Sequence, residues 1–202
     1  MDSRISDRPA RAPLRKSAME GVKIVIVGGF GAGKTTMVRS VSEIRPLNTE
    51  ETMTQASVGV DQTAGVADKT TTTVAFDFGR ISLNKRMVLY LFGAPGQERF
   101  RFLWDRLFTG TIGAVVLVDM RRVEDSWHAI DLLESRGTPF IVACNNFPGP
   151  RHGLAEVREA LTLSEEVPLI DCDARDRESS KQVLITLVSH AHALSSARGA
   201  TA

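Results

Sequence analysis

Apolar positions along the chain fall into short dense runs, separated by longer segments of helical spacing. Val22-Lys23-Ile24-Val25-Ile26-Val27, Met87-Val88-Leu89-Tyr90-Leu91-Phe92, Ile112–Val118 and Thr138-Pro139-Phe140-Ile141-Val142-Ala143-Cys144 are nearly unbroken by polar residues. Such runs predict strands buried on both faces of a parallel sheet. Val74-Ala75-Phe76-Asp77-Phe78-Gly79 instead alternates inward and outward, and Val167–Asp171 completes a set of six strands. Between them, Lys34 to about Ile44 places Met37, Val38, Val41 and Ile44 on one helical stripe. Helical spacing returns at Arg99–Phe108, Val123–Arg136, Leu154–Leu161 and Arg177–Leu194, the last with Val183, Leu184, Leu187, Val188 and Ala191 packing inward. Pro46 helps to end the first helix, and Asn84-Lys85 predicts a turn between the second and third strands. The expected fold class is α/β, a three-layer six-stranded mostly parallel sheet with helices on both faces. A ligand is expected at the carboxyl ends of the strands.

At 202 residues the chain has room for one domain, expected over 21–195, with tails at either end. Residues 1–20 carry Pro9, Pro13 and the cations Arg4, Arg8, Arg11, Arg15 and Lys16, and are expected as a disordered basic tail. Residues 196–202 are expected as a flexible C-terminal tail. The polar stretch from Leu47 to about Lys69 reads as a long loop, of the kind that is functional or mobile in a compact domain. Net charge is +1, so no global field points to nucleic acid or a membrane surface. Cys144 and Cys172 each close an apolar run without C-x-x-C spacing, which suggests buried reduced thiols and a cytoplasmic protein. No run approaches the ~20 apolar residues of a membrane span. The ends match neither a myristoylation nor a prenylation signal, so no lipid anchor is expected.

Two stretches carry chemistry. Gly28-Gly29-Phe30-Gly31-Ala32-Gly33-Lys34-Thr35-Thr36 reads G-x-x-x-x-G-K-[ST] between a predicted strand and a predicted helix. The glycines let backbone N–H groups turn inward around a phosphate, and the helix N-terminus adds a positive dipole end. Phe30, Gly31, Ala32, Gly33, Lys34, Thr35 and Thr36 therefore form a nucleotide cradle of the P-loop NTPase type. Lys34 is placed to reach the β/γ-phosphates and the Thr35 hydroxyl to ligate Mg²⁺. The second stretch is Gly93-Ala94-Pro95-Gly96-Gln97-Glu98-Arg99-Phe100 at the end of a strand. It can set the Gly96 N–H on the γ-phosphate and the Gln97 amide on an attacking water. Thr70-Thr71-Thr72-Thr73 either fills an edge strand with β-formers or supplies a Mg²⁺-sensing threonine. The face of Phe100, Leu103, Trp104 and Leu107 suits either a core or a partner surface.

Phosphate loop, long polar loop with threonine and Pro-Gly-Gln-Glu-Arg-Phe together resemble the bacterial Ras-like small GTPases. Within these the chain is most similar to the actinobacterial GTP-binding proteins encoded in conservon clusters, and more distantly to the gliding-motility GTPase MglA. The resemblance covers roughly Gly21 to Ala193. It implies a switch that binds GTP or GDP with Mg²⁺ and hydrolyses GTP slowly. Gln97 and Lys34 would be catalytic, Thr35 and Thr73 would hold the metal, and Asn145, Asp173, Ala174 and Arg175 would meet the base. Implied partners are a GTPase-activating or roadblock-type regulator and a sensor kinase, with homodimerisation open and no role for nucleic acid.

Three positions depart from that family. Gly93 stands where the second-switch strand carries a carboxylate that helps to hold Mg²⁺, with Asp119 as a remote substitute. Pro148 replaces the aspartate that accepts from the guanine N1–H and amine, leaving Asn145, the Ala174 N–H and Asp173 for the base edge. Asn146 replaces a lysine whose stem lies along the base, so Phe147 or Arg175 could stack there instead.

Overall fold

The computed structural model describes residues 20–45, 47–53, 72–84, 86–149 and 152–199. The first apolar run forms β1 (Glu20–Val27), whose side chains alternate between two core layers. Ile24 and Ile26 enter one layer, Val25 and Val27 the other, and all four are fully buried. β5 (Gly113–Asp119) repeats this division, with Val115 and Leu117 on the first layer and Val116 and Val118 on the second. Strands apolar on both faces need cover on both. The first layer is closed by α1 (Lys34–Val41) through Met37 and Val38, and by α5 (Arg177–Gly199) through Val183, Leu184 and Leu187. The second is closed by α2 (Trp104–Phe108), α3 (Trp127–Ser135) and α4 (Leu154–Ala160). Each fully buried Leu, Ile or Val on these layers contributes about 1.5–3 kcal/mol relative to exposure.

The sheet runs β2–β3–β4–β1–β5–β6–β7, adding β2 (Leu47–Met53), β3 (Thr72–Ser82), β4 (Met87–Gly93), β6 (Phe140–Asn145) and β7 (Leu169–Cys172). β1 pairs in parallel with β4 and β5, and β5, β6 and β7 continue in parallel. β3 is antiparallel to both β4 and β2. The carboxyl ends of β1, β4, β5, β6 and β7 therefore open on one edge, as the α/β reading expects.

All six expected strands are present, and the sheet gains a seventh. β2 lies within the stretch expected as a long loop, and pairs with β3 from Leu47↔Phe78 to Met53↔Thr72. Its sequence LNTEETM shows no apolar alternation. At a sheet edge, backbone bonds to one neighbour suffice, and charged residues there discourage further pairing. The rest of that loop, 54–71, lies outside the described residues, as does the basic tail up to residue 19. α1 stops at Val41, short of the expected Ile44. Ser42 turns to extended backbone, and its Oγ donates to the Ile44 carbonyl at 2.7 Å, an alternative to the helical ladder. α5 runs on to Gly199, beyond the expected end near Leu194 and the domain limit at 195, because no glycine or proline interrupts it earlier. Residues 196–199, expected in a flexible tail, are thus helical.

The expected helix after Gln97 begins as a 3₁₀ segment, Glu98–Leu103, before α2. Phe100, Leu103 and Trp104 are buried, which resolves their face as core, whereas Phe102 is 60% exposed. Trp104 Nε1 donates to the Pro95 carbonyl at 3.0 Å and ties this segment to the end of β4. Cys144 and Cys172 are free and buried, and burial pushes their thiols up to about 12 and about 11. No described helix is long and apolar enough to cross a membrane.

Candidate nucleotide-binding site

The loop Gly28–Gly33 turns the end of β1 into α1. Gly33 has φ 103°, and a Cβ there would collide with the Asn145 side-chain amide, so this turn requires glycine. The Asn145 Nδ2 group donates to the Ala32 carbonyl at 2.9 Å. Lys34 is only 8% exposed. Its Nζ donates to the Gly28 and Gly29 carbonyls at 2.9 and 2.6 Å, which leaves the third ammonium donor for a ligand. Burial pushes the Lys34 ammonium down to about 8, although Asp77 and Asp125 pull it upward. A buried cation of this kind is costly until an anion meets it.

A cavity of about 440 Å³ opens in front of this loop. It is lined by Phe30, Gly31, Gly33, Lys34, Thr35 and Thr36 of the loop and α1, by Gly93, Ala94, Pro95, Gly96, Gln97 and Phe100 after β4, and by Asp77 of β3. Gly96 lies so close to the phosphate loop that a Cβ there would stand 2.5 Å from Lys34 Nζ and 2.8 Å from the Gly29 carbonyl oxygen. Gln97, half-buried, follows at the N-cap of the 3₁₀ segment. Thr35 Oγ1 donates to Asp77 Oδ2 at 2.6 Å.

On the far side of the loop, Asn145 ends β6 and joins two elements. Its Oδ1 accepts the Ala174 N–H at 2.9 Å, so the phosphate loop and the turn after β7 are held through one side chain. Ala174, expected to donate to a base, here donates to Asn145. The Asp173 carboxylate accepts from Arg175 Nε and Nη2 at 2.9 and 2.8 Å. Asn146 Oδ1 is buried without a hydrogen-bond partner. Arg121 lies 4.1 Å from the centre of the Phe147 ring and pairs with Asp119 at 2.8 and 2.7 Å. Those bonds hold the Asp119 carboxyl below the usual carboxylate range. Asp119 does not line the cavity, so the remote metal substitute considered from sequence is instead a partner of arginine. Arg122 Nη2 donates to the Phe30 carbonyl at 2.9 Å and braces the outer side of the phosphate loop.

The structure thus gathers Phe30, Gly31, Gly33, Lys34, Thr35, Thr36, Gly96 and Gln97 around one cavity, with Ala32 bonded through its carbonyl to Asn145. Asn145, Ala174, Asp173 and Arg175 form a second group that does not line that cavity. Thr73 lies in β3 opposite Thr52, and its side chain is outside the described residues. Asp77, Arg121 and Arg122 were not singled out by the sequence. The signal for Asp77 lies in the β3–β4 hairpin register, which pairs it with Gly93.

The family described as "Conserved hypothetical ATP binding protein" matches residues 26–194. The chain belongs to this family. A relative from Methanocaldococcus jannaschii, the uncharacterized protein MJ1339, is 29% identical over 126 residues, which span 61% of this chain and 69% of that one. Among solved structures, the G domain of the T. maritima FeoB iron transporter matches with a TM-score of 0.59 at 16% identity, covering 85% of this chain and 99% of that one. The FeoB G-domain from Methanococcus jannaschii matches with a TM-score of 0.56 at 13% identity, covering 86% and 99%. The cytosolic domain of T. maritima FeoB in a GDP form matches at 0.60 with 16% identity, where this chain covers 64% of the longer one. These likenesses show the fold alone: the chain has the three-layer α/β architecture of the P-loop NTPase fold.

Proposed function

We propose that the protein is a small GTPase of the Ras-like type, a molecular switch that binds GTP or GDP with Mg²⁺ and slowly hydrolyses GTP. The observation that carries this reading is the meeting of Lys34, Thr35, Gly96 and Gln97 in one cavity. The third Lys34 donor would meet the β/γ-phosphates with a charge-assisted hydrogen bond. The Gly96 N–H senses the γ-phosphate, and the Gln97 carboxamide orients the attacking water. Thr35 and Thr73 are the residues that would hold Mg²⁺, which when bound neutralises charge developing between the β- and γ-phosphates. Hydrolysis releases Gly96 and the segment around Thr73, and the partner surface changes with them. The intrinsic rate is slow, because no arginine lines the cavity among the described residues. A GTPase-activating or roadblock-type regulator and a sensor kinase are the partners proposed, and the buried reduced thiols agree with a cytoplasmic location. The narrower likeness to conservon-encoded proteins rests on the sequence motifs.

A second reading, a nucleotide-loaded module with little hydrolysis and relaxed base choice, draws on the base side. Pro148 offers no side-chain acceptor, Asp173 is engaged by Arg175, and the family description names ATP. Single-turnover hydrolysis separates the two readings. Gln97→Leu should slow GTP cleavage at least about tenfold, within the range of acid–base and positioning effects, with GDP affinity unchanged. Equal rates in both proteins would leave the module.

A further inference from the structure

We infer that Asp77 supplies the carboxylate of the Mg²⁺ site, displaced by one strand from the position at which Gly93 leaves it vacant. The inference rests on the magnesium–nucleotide reading above and adds a residue to that site. Three observations place Asp77 there. It is directly opposite Gly93 in the antiparallel β3–β4 register. A Cβ on Gly93 would lie 2.9 Å from Asp77 Cβ and 3.1 Å from its Oδ2, so the two positions share one space and hold one carboxylate between them. The Thr35 hydroxyl donates to Asp77 Oδ2 at 2.6 Å.

That hydrogen bond has a direction with consequences for a cation. A hydroxyl carries one proton and two lone pairs. With the proton committed to Asp77, the Thr35 oxygen has its lone pairs left for a hard cation, which prefers oxygen ligands. The carboxylate contributes negative charge beside the site and can accept from the waters that Mg²⁺ retains. Asp77 also lines the same cavity as Lys34 and raises its pKa, so its field reaches the phosphate position. No group of three or more His, Cys, Asp or Glu that could hold a metal ion exists among the described residues. The chemistry is therefore that of one carboxylate and one hydroxyl completed by phosphate oxygens and water, which suits Mg²⁺ better than a cage-bound metal. Gly93 is then a requirement of the relocation, because any side chain there would expel Asp77.

The test uses the full chain loaded with GDP and reads Mn²⁺ in place of Mg²⁺ by electron paramagnetic resonance of the free ion. The release rate of a fluorescent GDP, with and without EDTA, is measured beside it. In the wild type, EDTA should accelerate release at least about tenfold. Asp77→Asn keeps shape and hydrogen bonding and should weaken Mn²⁺ at least about tenfold, with release in Mg²⁺ approaching the EDTA rate. The exchange variant Asp77→Gly/Gly93→Asp should recover most of the lost Mn²⁺ affinity, because the carboxylate returns to the same space from the neighbouring strand. Circular dichroism shows that each variant is folded. Wild-type Mn²⁺ affinity and EDTA response in Asp77→Asn would overturn the role of Asp77 and leave nucleotide binding intact. If Asp77→Asn loses affinity but the folded exchange variant recovers none, the shared-space argument is wrong. Absence of GDP binding or of any EDTA response in the wild type would overturn the parent reading and this one together.

Discussion

Raising the pH from 7 to 9 should weaken nucleotide binding through a single buried proton on Lys34. Burial pushes the free protein's Lys34 down to about 8. Bound phosphates place anions in the same cavity and raise it again, so binding above pH 8 takes up a proton. At pH 9 about one free molecule in ten keeps the charge, and GDP affinity should fall about tenfold from its pH 7 value, or ~1.4 kcal/mol. The phosphates themselves titrate near pH 6, below this window. Calorimetry in two buffers of different ionisation enthalpy reads the protons directly, with little uptake expected at pH 7 and nearly one proton at pH 9. Lys34→Met should bind more weakly throughout, and subtracting its profile removes any titration of the base. The sign for stability is opposite. A lysine depressed on folding penalises the charged form, so the nucleotide-free protein should gain stability from Lys34 as pH rises from about 8 towards 10.5. Equal affinity at both pH values with no proton uptake would refute the account of Lys34 as the buried phosphate cation.

Three further outcomes follow from the same site. Thr73→Ala should weaken the GTP complex selectively and leave GDP binding nearly intact in equilibrium titrations, and the same pattern in Thr72→Ala instead would move the assignment by one residue. Discrimination of GTP over ATP should fall short of the roughly 10⁴-fold that a fully paired polar pocket reaches, because Pro148 has no side-chain acceptor and Asp173 is engaged by Arg175. In competition assays inosine triphosphate should bind about as well as GTP. A strong preference for GTP that survives Asp173→Ala would point to another acceptor, for which the unpartnered Asn146 Oδ1 is the first to substitute.

Features legible in the sequence are those that local pattern determines. β1, β5 and β6 are buried on both faces, so their apolar runs are continuous and stand out. The phosphate loop is legible because backbone geometry, dipole and ligand chemistry all act within nine consecutive residues. β2 is not, since its sequence LNTEETM carries no apolar alternation for a strand pattern to show. Asp77 was missed for a different reason. Its place depends on a cross-strand neighbour sixteen residues away in sequence, which no motif along β4 or β5 marks. The turn at Asn84, whose Oδ1 accepts the Arg86 and Met87 N–H groups at 2.7 and 2.9 Å, already sets the register that faces Asp77 with Gly93. The Arg121–Phe147 contact joins the loops after adjacent parallel strands, far apart in sequence and carrying no shared motif.

The central claim is that this cavity holds and cleaves a guanine nucleoside triphosphate. Incubation of the protein with excess GTP and Mg²⁺, rapid gel filtration, denaturation at timed intervals and chromatography of the released nucleotide test it directly. The account predicts close to one guanine nucleotide per chain, with GTP giving way to GDP over time in the wild type and persisting in Gln97→Leu. No nucleotide travelling with the protein, or GTP that decays no faster than in buffer, would contradict it.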